Sequence, residues 1–199
     1  CSPRDTVSEF FSQCAQKGVR IVIIVAQGFT DGDEDGAVIQ QNFLKLASKR
    51  GIRIIGPNTL GIVNNFNSFC TSFIRFINPP APVGILSQSG IYVVGSAGLM
   101  GGTGLCIDTG NTADVEYSEL IGHMVRDPRL SIINIYMEGV RNGVKFMEAV
   151  CDAVIHMPVI VFKTGSSTAG AKAAGSHTGS MTGEDRVYDT AFRQCGLIR

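Results

Sequence analysis

Three histidines occur in the 199-residue chain, and His177 sits in a run suited to chemistry. From Gly165 to Gly183 the sequence reads GSSTAGAKAAGSHTGSMTG, in which sixteen of nineteen residues are Gly, Ala, Ser or Thr. Small residues let a backbone approach a ligand closely and change conformation at low cost. An imidazole there has no apolar sequence neighbours to pack against, and it titrates near neutral pH. A plain surface loop with a solvated histidine would read the same way. Glu138 closes the otherwise apolar run Ile132-Ile133-Asn134-Ile135-Tyr136. A carboxylate at that strand exit can hold an imidazole through Nδ1–H and leave Nε2 the better nucleophile. A solvated Glu at a strand end is the alternative. Ser87-Gln88-Ser89-Gly90 joins a strand pattern to a helix pattern, where N–H groups, hydroxyls and the helix dipole make an anion site. An ordinary serine cap would look identical. His123 reads as a surface residue, and His156, beside Met157-Pro158, has no role.

Positioning these groups requires a regular frame, and helix and strand patterns alternate along the chain. Val7, Phe10, Phe11 and Cys14 form a helical stripe ended by Gly18. Ile21–Ala26 reads as a buried parallel strand. A helix with Ile39, Phe43, Leu46 and Ala47 stops at Gly51, before the strand Ile52–Ile55. Between Asn64 and Pro82 the pattern breaks on Asn and Pro. Strands at 83–86, 105–108, 132–136 and 159–162 then alternate with helices, the last carrying Val187, Ala191 and Cys195. The expectation is α/β: residues 1–66 a partial Rossmann-like domain, 67–82 a linker, and 83–199 a flavodoxin-like, doubly wound domain. A βαβ sheet normally opens with a strand, so a piece of a longer protein is expected. Ligands in such sheets bind beyond the carboxyl ends of the strands, and every turn there is polar or glycine-rich.

Seventeen basic residues balance seventeen acidic ones without a basic cluster, which gives no support to nucleic-acid or anionic-membrane binding. The longest apolar run, Ile21–Ala26, is far short of the roughly 20 residues that span a bilayer. The six cysteines form no CxxC pair, so Cys14, Cys106, Cys151 and Cys195 are expected as reduced core thiols of a cytoplasmic protein. No metal ligand spacing is present. Gly165-x4-Gly170-Ala171-Lys172 misses a Walker A loop by one residue, and no G-x-G-x-x-G opens a βαβ unit.

Gly56-Pro57-Asn58-Thr59-Leu60-Gly61, Gly84-Ile85-Leu86-Ser87-Gln88-Ser89-Gly90, Gly110-Asn111 with Asp114, Tyr136-Met137-Glu138, Lys163-Thr164-Gly165 and Ser176-His177-Thr178-Gly179-Ser180 occur in that order. The ordered set resembles the nucleoside-diphosphate-forming acyl-CoA synthetases, nearest the ADP-forming acetate–CoA ligases and more distantly the succinyl-CoA synthetase α subunit. The resemblance implies reversible chemistry in which an acyl phosphate exchanges its phosphoryl group with His177, CoA takes the acyl group, and phosphohistidine phosphorylates ADP. It makes Glu138 the orienting carboxylate of His177. Ser87, Gln88, Ser89 and Gly90, with Thr178, Gly179 and Ser180, would hold the phosphoryl group. Ala26, Gln27, Gly28, Asn58 and Thr59 would face coenzyme A. ATP or ADP with Mg²⁺ would bind an ATP-grasp β subunit or fused domain, and a small carboxylic acid would be the substrate of an oligomeric enzyme. The family often has Cys where this chain has Thr59, and Glu where it has Thr30, which touches the acyl and CoA contacts. A catalytically inactive acyl-CoA-sensing module on the same scaffold is the other reading. Such copies are expected to lose the histidine, which is present here.

Overall fold

A computed structural model of the chain describes residues 2–74, 79–165 and 185–199. Helix α1 (Arg4–Gln16) precedes strand β1 (Ile21–Ile23), and α2 (Glu34–Arg50) leads to β2 (Arg53–Ile55). Both helices end where the sequence offers a glycine in the left-handed region, Gly18 after α1 and Gly51 after α2. Asp33 caps α2 by accepting from the Gly36 N–H at 2.7 Å. β1 and β2 pair in parallel, over a core of Val7, Phe11, Ile24, Phe29, Phe43, Ala47, Ile52 and Ile54. The parallel pairing matches expectation, and Ile24, just past β1, is buried. Among the described residues β1 pairs with β2 alone, and Ile21 at its start is 62% exposed. Phe10 likewise lies outside the core stripe.

β3 (Ile62–Asn64) leads into the stretch read as broken pattern, which holds a 3₁₀ turn over Asn65–Asn67 and the short strand β4 (Phe69–Cys70). β3 and β4 pair into a second, larger sheet. That sheet continues with β5 (Val83–Ser87), α3 (Gly90–Met100), β6 (Leu105–Asp108), α4 (Tyr117–Val125), β7 (Ile132–Met137), α5 (Gly143–His156), β8 (Val159–Lys163) and α6 (Asp185–Cys195). The spatial order is β4-β3-β6-β5-β7-β8. β6, β5, β7 and β8 are parallel, while β3 runs antiparallel to β6. Ile198 adds a parallel bridge beside Ile160. Second, first, third, fourth and a stub of a fifth is the flavodoxin-like winding.

Alternation along the strands divides two cores. Leu86, Ile107, Ile133, Ile135 and Met137 meet Tyr117, Ile121 and Met124 of α4, Phe146 and Val150 of α5, and Phe192 of α6. Val63, Ile85 and Cys106 face Val93 of α3 on the other side. The inward residues of α6 are Phe192 and Cys195, while Val187, expected in the stripe, is exposed. Cys151 of α5 and Cys195 of α6 form a disulfide with Cα atoms 4.7 Å apart, which corrects the expectation of reduced thiols at both. Cys14 and Cys106 are free.

Candidate functional site

The carboxyl ends of both parallel sheets meet. Asn58 donates its backbone N–H to Ala26 O at 2.8 Å, which joins the turns after β1 and β2. Asn111, beyond β6, donates its N–H to Pro57 O at 2.9 Å, and Ala113 donates to Gly56 O at 3.1 Å. The Asn111 side chain bridges further, from Nδ2 to Asp31 Oδ1 at 2.6 Å, with its Oδ1 accepting from Asn58 Nδ2 at 3.3 Å. Asp31 in turn ties its own loop by accepting from the Gly28 and Phe29 N–H groups at 2.9 and 3.0 Å. Gly110 makes this approach possible. It has φ +51°, and a Cβ there would lie 2.2 Å from Pro57 O.

A second constellation sits at the ends of β5 and β7. Gln88 is buried, and its Oε1 accepts from the N–H groups of Glu138 and Gly139 at 2.7 and 3.1 Å. Its Nε2 reaches Thr112 Oγ1 at 3.3 Å. Ser87 Oγ donates to Ser89 O at 2.8 Å and accepts from the Ser89 N–H at 2.9 Å. The side chains of Ser87 and Gln88 are therefore spent on shaping the turn. Among the described residues, the Ser89 hydroxyl and the Gly90 and Ile91 N–H groups make no protein hydrogen bond. Three donors at the start of α3 suit an oxyanion, with the helix dipole behind them. The turn is free of basic side chains.

Glu138 is 3% exposed. Asp108, 2% exposed, ends β6 as the register partner of Ser87. Its Oδ2 accepts from the Leu60 N–H at 2.6 Å and its Oδ1 from the Gly110 N–H at 3.0 Å. Burial pushes its carboxyl up to about 6, and the charge of Glu138 adds to the push. The Leu60 and Gly110 N–H groups hold against that shift. Tyr117 donates to Tyr136 O at 2.7 Å, and burial holds its phenol well above the usual range. Thr59, also buried, donates its hydroxyl to the Asp108 carbonyl and accepts from the Gly61 N–H at 2.8 Å.

The structure thus brings Ala26, Gly28, Asn58 and Thr59 to one junction, with Gln27 exposed beside it. It sets Gln88, in the turn with Ser87, Ser89 and Gly90, against the backbone of Glu138. The Thr59 hydroxyl is engaged within the junction, with the Asp108 carbonyl and the Gly61 N–H. His177, Thr178, Gly179 and Ser180 lie outside the described residues. The chain leading to them leaves β8 beside Glu138: Lys163 pairs with Met137, and the Thr164 N–H donates to Met137 O at 3.0 Å. Asp108, Asp31 and Asn111 are structural members of the junction to which sequence reasoning gave no site role, Asn111 entering only through the ordered family pattern. Asp108 carries the same signal as Glu138, a carboxylate ending an apolar strand. Among the described residues no cluster of His, Cys, Asp or Glu could hold a metal ion, and no helix is long and apolar enough to cross a membrane.

Comparison with known proteins agrees with this architecture. The chain is 39% identical over 99% of its length to an acetate–CoA ligase (ADP-forming) II of Archaeoglobus fulgidus, covering 30% of that protein. It is 39% identical to an acetate–CoA ligase (ADP-forming) I subunit alpha of Pyrococcus furiosus, of which it covers 44%. It superposes on a dinucleotide-forming acetyl-coenzyme A synthetase 1 of Ca. Korarchaeum cryptofilum, solved with phosphate and ADP, with a TM-score of 0.91 and 29% identity, over 99% of this chain and 43% of the other. The chain spans under half the length of these relatives. The family described as the succinyl-CoA ligase like flavodoxin domain matches residues 80–199, and this chain belongs to that family.

Proposed function

We propose that this chain is the CoA-binding and phosphohistidine-bearing portion of an ADP-forming acyl-CoA synthetase, joining a small carboxylic acid to CoA at the expense of ATP. The observation that carries the reading is the meeting of two sets of turns at one sheet edge. One set, with Ala26, Gln27, Gly28, Asn58 and Thr59, would take the CoA arm. The other, the turn of Ser87, Gln88, Ser89 and Gly90, would take a phosphoryl group. The His177 segment departs from the strand beside Glu138.

In the synthetic direction, the phosphoryl group of ATP passes to Nε2 of His177 and ADP leaves. A carboxylate oxygen of the acid then attacks that phosphorus, the P–N bond breaks, and an acyl phosphate forms. The CoA thiolate attacks its carbonyl carbon and expels phosphate. The Ser89 hydroxyl and the Gly90 and Ile91 N–H groups would hold the phosphoryl oxygens at each stage. Thr178, Gly179 and Ser180 would add their N–H groups to that hold. Glu138 would accept from Nδ1–H of His177 and stabilise the ring as it gains positive character. Nucleotide with Mg²⁺ would bind an ATP-grasp domain or β subunit beyond this chain, in a cytoplasmic oligomer.

The full-length parent, with its ATP-grasp part, is to be incubated with ATP and Mg²⁺ and searched by mass spectrometry for an acid-labile phosphoryl group. Phosphate on His177 that CoA plus a carboxylic acid discharges supports the synthetase. An unmodified His177 in a chain that still binds acyl-CoA would instead establish a sensing module.

A further inference from the structure

Asp108 is the buried acid at this edge that the chemistry above leaves unused. Its two carboxylate oxygens divide between units: Oδ1 takes an N–H from its own turn, at Gly110, and Oδ2 takes the Leu60 N–H, 48 positions away in the chain. A side chain serving only its own turn would need the first bond alone. The contact is tight on a third side. A Cβ at Gly90 would stand 3.2 Å from Asp108 Oδ2 and 2.5 Å from the Leu60 side chain, so the start of α3 closes over the same point. The Thr59 hydroxyl reaches the Asp108 carbonyl from the same turn as Leu60.

We propose that Asp108 is the positioning residue that locks the CoA-side turn, Asn58 to Leu60, onto the phosphoryl-side turn at Gly90, so that use of CoA depends on its carboxylate. The assignment rests on the functional reading of those two turns. A carboxylate accepts at both oxygens, whereas an amide has one acceptor and would set an NH₂ against an N–H. Asn in its place must therefore release Leu60 or Gly110. Releasing Leu60 lets Asn58 and Thr59 drift from the reacting phosphoryl group. The ionisable groups facing Asp108 are Glu138 at the end of β7 and the phenol of Tyr117 on α4. With its carboxyl raised to about 6, Asp108 carries its charge above that pH and loses it below. The grip on the Leu60 and Gly110 N–H groups should weaken as pH falls through that value.

The test uses the full-length parent with its ATP-grasp part and the D108N variant. In D108N the KM for CoA should rise roughly tenfold, more than the rate of ATP-driven His177 phosphorylation falls. The parent's decline in kcat/KM for CoA below pH about 6 should be absent from the variant. A D108N enzyme with the parent's KM for CoA and the parent's acid limb overturns the proposal while leaving the synthetase reading intact. A parent that never phosphorylates His177 overturns the reading and the proposal with it. If D108N does not fold, amide hydrogen exchange on the parent decides. Corrected for intrinsic rates, protection at Leu60 and Gly110 should fall together between about pH 7 and about pH 5. Protection that stays level at both amides overturns the proposal.

Discussion

The two parallel sheets of this chain use the same unit and reach different ends. β5, β6, β7 and β8 are paired to one another and buried between helices, with Ile85, Ile133 and Ile135 fully inaccessible. β1 and β2 form a pair of three-residue strands among the described residues. The larger sheet holds its carboxyl-end turns from within, as when Gln88 of β5's turn grips the turn after β7. The smaller one holds its turns by leaning on the larger. Asp114 accepts the Ile54 N–H at 2.7 Å and pairs with Arg53 at 3.0 Å, and Asp108 accepts from Leu60. A site at the junction therefore inherits its precision from the larger sheet. The CoA-side turns are placed by contacts that cross between units.

That difference predicts a contrast between two isoleucines that are equally buried. Ile135→Ala removes the centre of the large core and should cost about 2–5 kcal/mol, lowering the melting temperature of the whole chain. Ile54→Ala should cost a similar amount locally. Its loss should appear in hydrogen exchange over α1, α2 and β2 while β5 to β8 keep their protection. If Ile54→Ala exposes both sheets together, the smaller unit is not dependent in the way described.

The junction itself breaks at Gly110. An alanine there must hold φ +51° and place a Cβ 2.2 Å from Pro57 O and 2.4 Å from Asn58 O, neither of which is a side chain that can swing away. Left-handed strain and overpacking together should cost about 2–4 kcal/mol. CoA binding should suffer more than the melting of the large sheet, as read by titration calorimetry beside thermal unfolding. Equal loss in both would mean that the junction and the large core are one cooperative unit.

The contrast also marks what the sequence made legible. The four parallel strands of the large sheet were readable because apolar runs bounded by Gly and polar turns dictate buried β structure, and the structure starts all four where expected. β3 and β4 were not readable. Runs of three and two residues among asparagines carry no period, and their pairing comes from the exposed edge of β6. Glu138 and Ser87 to Gly90 could be picked from position alone, but not the direction of Gln88, whose amide turns inward to the Glu138 and Gly139 N–H groups. Asp108 was visible by the rule that found Glu138. Its partner, Leu60, is set by the packing of two units and lies beyond any local pattern. The Cys151–Cys195 link likewise joins helices whose stripes say nothing about each other.

The smallest effects test how the two units are tied. Arg53 bridges Asp114 and Glu119, with N···O distances of 3.0 and 2.8 Å. Both carboxylates hold its guanidinium charged. Its side chain is 45% exposed, so solvent screens the pairs, and Arg53→Ala should cost less than about 1 kcal/mol. Asp114→Ala removes the same ion pair but also strips the acceptor from the Ile54 N–H in the buried strand β2. An N–H left without a partner costs more than a surface pair, so Asp114→Ala should lose about 1–2 kcal/mol. The order of the two variants in urea unfolding is the measurement, repeated at high salt. Salt should shrink the Arg53→Ala effect and leave most of the Asp114→Ala effect. If the two variants match at every salt concentration, the ion pair rather than the backbone bond ties the units. The smaller sheet would then be held by charge at its rim instead of by the turns that build the site.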